Sequence, residues 1–122
     1  MKESDEKYLF EANGNVINGK KEATKLGYPT ANINCKDDIP SGIYAGAVTW
    51  RNDIYPAAIY KKDGENMVEA YLLDFSGNLY GQSITIRAFH KVRDVKIFPN
   101  KDELTTAIAQ DIATIKNLCS QE

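Results

Sequence analysis

Residues 43–60 read IYAGAVTWRNDIYPAAIY. Two runs rich in β-branched, aromatic and small apolar residues flank the polar break Arg51-Asn52-Asp53. Such runs favour the pleated, half-buried surface of a sheet, and Asn and Asp favour turns, so the stretch predicts a hairpin. Pro56 has no N–H to give to a ladder and must stand at an edge or a bulge.

The same pattern repeats in both directions. Downstream, the turn KKDGEN (61–66) leads into the strand MVEAYLLDF (67–75), and the turn SGNLYG (76–81) into QSITIRAFHKV (82–92). That last run alternates: Ile84, Ile86 and Ala88 face one way, Ser83, Thr85 and Arg87 the other. Upstream lie the turn cluster DDIPSG (37–42), the short extended TANINC (30–35) and YLFEANGNVING (8–19), a bent strand or hairpin. NGKKEATKLGYP (18–29) is polar and aperiodic, and a loop of that length usually has a task. Residues 1–7 are expected to be a flexible leader, and the polar MKESDEKY start is not a signal peptide.

The last segment changes period. Asn100 precedes Glu103 by three, the spacing of a capping box. Leu104, Ala107, Ile108, Asp111, Ile112, Ile115 and Leu118 then follow helical spacing with one polar interruption, Asp111. The spacing predicts a helix over about 101–118. Alone it would be marginal, so it must lie on the strands. About six short antiparallel strands followed by one helix suggest a small closed or nearly closed barrel.

The 122 residues make one domain, with a net charge of −2 and a pI near 5.4. That balance argues against a protein that lives on phosphate contacts to nucleic acid. No run is long and apolar enough to span a membrane. Cys35 and Cys119 fit no metal or redox spacing and read as free thiols in a reducing cytoplasm.

Two places invite a chemical reading. In GYPTANI (27–33), Thr30 and Asn32 sit two apart at a strand start, so their side chains share a face. A hydroxyl and an amide oxygen are hard ligands that suit Mg²⁺, although the same pair also caps turns. Glu69 stands in an otherwise apolar strand. On a crowded face its desolvated carboxylate would serve as a general base; on the solvent face it would be ordinary. Asp74 at the strand end reads as a turn residue, and the lone His90 has no assigned task. Arg93 and Asp94 could form a simple ion pair.

In order along the chain, LGYPTANI (26–33), PSGIYAGAV (40–48), VEAYLLDFSGNLYGQSITI (68–86) and VRDVKIFPNKDELTTAIAQDI (92–112) resemble blocks of the riboflavin kinase family. The resemblance implies a six-stranded Greek-key barrel with a C-terminal helix. It implies transfer of the γ-phosphoryl of ATP to the 5′-hydroxyl of riboflavin, giving FMN. Thr30 and Asn32 would hold the nucleotide's Mg²⁺ or another divalent ion, and Glu69 would be the base. Arg93 would lie in a mobile loop on the flavin side. Gly19, Lys21, Lys25 and Gly27, with Thr30 and Asn32, would bind the nucleotide. The implied protein is a cytoplasmic monomer that binds small molecules, not nucleic acid or membrane. Without an adenylyltransferase domain, FAD synthesis is not expected. The chain departs from the family pattern at Ala23-Thr24, where a Gly-led pair is usual and Glu22 adds a negative charge beside it, and over 57–67, where Asn-Ile-Gly and Pro-Thr are usual. The alternative these departures raise is a flavin- or nucleotide-binding module without turnover.

Overall fold

A computed structural model describes residues 7–17 and 30–120. The nucleotide-loop residues Gly19, Lys21, Lys25 and Gly27, the departure at 22–24 and, but for Lys7, the expected leader lie outside the described residues.

The strands are β1 (Phe10–Asn15), β2 (Ala31–Asn34), β3 (Gly42–Trp50), β4 (Asp53–Lys61), β5 (Met67–Leu72) and β6 (Ser83–Arg93), and helix α1 follows (Lys101–Ser120). They form one sheet in the order β1-β6-β3-β4-β5-β2, antiparallel at every pairing. β3, β4 and β5 follow one another as neighbours and β6 returns beside β3, which is the Greek-key order. The two outer strands approach each other just past β1, where Ile17 N donates to Asn32 O at 2.7 Å. The barrel is thereby nearly closed.

β3 is buried on both faces over most of its length. Its inward residues join Ile33, Ile59, Val68 and Ile86 in the barrel interior. Outward, Ala45 and Ala58 present a shallow apolar floor, on which Ile115 of α1 packs with Leu73. Small residues below and a branched one above let the helix sit close. The apolar stripe read from the sequence is therefore the docking face. Its start is fixed as the spacing predicts: Asn100 Oδ1 accepts from Glu103 N at 2.9 Å, and Asn100 Nδ2 donates to Glu103 Oε2 at 3.1 Å.

Two details place later residues. Pro56 stands opposite Ala47, beyond the β4–β5 ladder that begins at Ala57, so its missing N–H interrupts no pairing there. β6 carries two irregularities against β3: the partner of Gly46 is Ala88, of Ala45 His90, of Tyr44 Lys91 and of Ile43 Arg93. Phe89 and Val92 are thus extra residues, and in a ladder without bulges Lys91 rather than Arg93 would face Ile43. Gly46 stands beside the first bulge because nothing larger fits. A Cβ there would lie 2.0 Å from Arg87 O.

Candidate functional site

In β5, Val68, Ala70 and Leu72 point into the barrel, so Glu69 points outward by alternation. The outer face is not open solvent here, and Glu69 is half-buried. The ladders set its neighbours. Glu69 stands directly opposite Asn32 on one side and Tyr60 on the other. Tyr60 stands opposite Ile43, and Ile43 opposite Arg93. Cross-strand partners share a face. Asn32, Glu69, Tyr60, Ile43 and Arg93 therefore make one row across five strands, roughly 19 Å long at ~4.8 Å per strand.

At the β2 end the row is polar. Asn32 is 3 % exposed, and its Nδ2 makes only a long contact of 3.4 Å to Thr30 O. Thr30 Oγ1 and Asn32 Oδ1 are buried, and among the described residues neither finds a hydrogen-bond partner. Native proteins rarely leave buried acceptors unused. Two hard oxygens on one face beside a carboxylate fit a divalent cation whose remaining ligands are water and phosphate oxygens. No group of three or more His, Cys, Asp or Glu among the described residues could hold a metal.

At the other end the row is walled by apolar side chains. A pocket of about 90 Å³ is lined by Glu69, Tyr60 and Arg93, with Ile43, Val95, Phe98, Leu104 and Ile108, and Lys61, Lys62 and Lys96 complete it. The last two come from α1, whereas Val95 and Phe98 belong to the strap between β6 and α1.

Arg93 differs from its expected place. It is the last residue of β6 rather than part of a loop. Its Nε and Nη2 donate to the two carboxylate oxygens of Asp111, each at 2.8 Å, and this fork holds the guanidinium charged. The neighbouring Asp94 takes only a backbone contact from it, at 3.0 Å; its carboxylate pairs with Lys91 instead. Sequence adjacency pointed to the wrong partner. The signal for the right one was Asp111 itself, the polar interruption in an apolar stripe. Asp74 is exposed with a φ of 55°, as a turn residue, and His90 is exposed. Tyr60, in the 57–67 segment, was not singled out in the sequence; the ladder register puts it beside Glu69.

A family model described as flavokinase, riboflavin kinase, matches residues 6–119. This chain belongs to the riboflavin kinase family. A bifunctional riboflavin kinase/FMN adenylyltransferase of Buchnera aphidicola is 33% identical over 119 residues, covering 88% of this chain and 38% of that protein. The chain thus spans well under half the length of that curated relative. Two solved structures share the fold. One, titled a macrolide-efflux protein from Streptococcus pneumoniae, has a TM-score of 0.75 at 24% identity, covering 88% of this chain and 36% of that one. The riboflavin kinase of Trypanosoma brucei has a TM-score of 0.70 at 22% identity, over 90% of this chain and 76% of that one. Among the described residues no helix is long and apolar enough to cross a membrane.

Proposed function

We propose that the chain transfers the γ-phosphoryl group of ATP to the 5′-hydroxyl of riboflavin. The observation that carries this reading is the cross-strand row, which sets Glu69 between two buried oxygens without a partner among the described residues and a largely apolar pocket. Phosphoryl transfer requires positioning and charge neutralisation more than covalent chemistry. The ring system would lie against Ile43, Val95, Phe98, Leu104 and Ile108, with its sugar-alcohol tail running along the row. Glu69 takes the proton of the terminal hydroxyl as that oxygen bonds to the γ-phosphorus. The bond from the γ-phosphorus to the bridging oxygen breaks, and ADP leaves. Thr30 and Asn32 would hold Mg²⁺ or another divalent cation, which when bound offsets phosphate charge. Gly19, Lys21, Lys25 and Gly27, with Thr30 and Asn32, would bind the nucleotide. The protein would act as a cytoplasmic monomer, with no nucleic-acid partner.

The test is riboflavin-dependent ADP release in the presence of Mg²⁺, with Glu69→Gln as the control. The variant should melt like the parent and lose nearly all turnover. Absence of ADP release from the parent protein, or a Glu69→Gln variant with full turnover, overturns the reading.

A further inference from the structure

The apolar stripe of α1 carries one carboxylate, Asp111, which is 4 % exposed. A buried ion pair is weak evidence for stability, because apolar side chains of similar volume often serve the fold as well or better. The pair therefore calls for another reason, and its geometry supplies one. Both oxygens of Asp111 accept from Arg93, at 2.8 Å each, in the two-pronged arrangement that fixes a guanidinium's plane as well as its position. A third donor, Nη1, reaches Asp94 O at 3.0 Å, and the Phe98 ring lies 5.6 Å away. Of the five N–H groups of Arg93, three are thus engaged. The remaining two, one on each terminal nitrogen, have no partner among the described residues. They belong to a side chain that lines the pocket shared with Glu69.

We propose that Asp111 is a positioning residue for the acceptor substrate. It holds the Arg93 guanidinium as a fixed donor at the far end of the row, set to meet the electron-rich carbonyl edge of a planar heteroaromatic ring. Asp111 touches no ligand; it determines where the Arg93 guanidinium stands in a pocket that Lys61, Lys62 and Lys96 also line. This rests on the flavin reading of the pocket, and riboflavin binding tests it separately from turnover.

Riboflavin fluorescence quenching gives Kd for the parent, Asp111→Asn, Arg93→Lys and the double variant, all measured well below their melting temperatures. Arg93→Lys keeps the charge and loses the fork, so it carries the test if Asp111→Asn fails to fold. Each single change is expected to weaken riboflavin binding by about tenfold, the scale of a charge-assisted hydrogen bond. ATP binding should stay within twofold, and the double variant should bind riboflavin no worse than either single one. If the pair only pins the helix, the variants will melt earlier while their folded fraction keeps the parent Kd, and the inference is overturned. It is also overturned if the parent protein binds no riboflavin. Binding without ADP formation would end the kinase reading and leave this one standing on its own data.

Discussion

Replacing Gly46 with alanine should be among the most damaging single-methyl additions in the chain. The new Cβ would lie 2.0 Å from Arg87 O, 2.5 Å from Ile59 Cδ1 and 3.0 Å from Ala88 Cα. The Ile59 methyl can rotate away. The carbonyl and the Cα cannot, because both belong to β6 at its pairing with β3. Relief requires the two strands to part by about 1 Å, toward ordinary van der Waals separation. Overpacking of this kind costs about 1–3 kcal/mol, and each ladder hydrogen bond stretched or lost adds about 1 kcal/mol. A total of roughly 3–4 kcal/mol is a large share of the ~5–15 kcal/mol that holds a domain folded. At about 4 °C per kcal/mol for a domain of this size, the melting temperature should fall by about 12–16 °C. Urea unfolding with an unchanged m-value gives the free energy directly. A loss below 1 kcal/mol would refute the close β3–β6 approach and the bulge geometry behind it.

Thr30→Val removes a buried hydroxyl that has no partner among the described residues, so it should raise the melting temperature slightly while raising the Mg²⁺ concentration needed for half-maximal turnover; an unchanged Mg²⁺ requirement counts against the cation role. Ile115→Ala empties a fully buried position between α1 and the barrel and should cost about 3 kcal/mol by denaturant titration, with a loss under 1 kcal/mol contradicting the docking described. The Arg87 hydrogen bond holds the Glu11 carboxyl below its ordinary value, and Lys91 does the same for Asp94. A depressed carboxyl contributes stability that is present above its unfolded pKa and is lost as pH falls through its folded pKa. Thermal melts should therefore decline from below about pH 4.5, and Arg87→Met should flatten part of that decline; an identical acid slope in the variant would discount the pair.

Most of the barrel was legible because each strand is a short run of β-formers closed by a turn cluster, and because α1 changes the period from two to 3.6. The alternation of Ile84, Ile86 and Ala88 correctly gave the inner face of β6. The continuous apolar character of β3 was equally visible, but only the packing of Ile115 over Ala45 and Ala58 explains it. For Glu69 the sequence left two orientations open. The register with Asn32 and Tyr60 shows that both contain part of the answer: the carboxylate faces outward, onto a face that is covered. The pairing of Arg93 was misread because local order favours Asp94, whereas its true partner lies 18 residues on. The two bulges of β6 left no clear mark in composition, since Phe89 and Val92 look like ordinary strand residues.

The two apolar clusters have different authors along the chain. The strands and the turns between them build the barrel interior, whereas the outer cluster needs Ile115 of α1. The Thr30 and Asn32 oxygens without a partner among the described residues stand at and just before β2, whereas Phe98, Leu104 and Ile108 come from the strap and α1. Exchange of the carboxy-terminal portion from Asp94 onward would therefore reshape the pocket beside Glu69 while leaving the Thr30–Asn32 end of the row in place. The fold is in that respect a socket with a replaceable cover, open to retargeting by grafting a single helix and its strap.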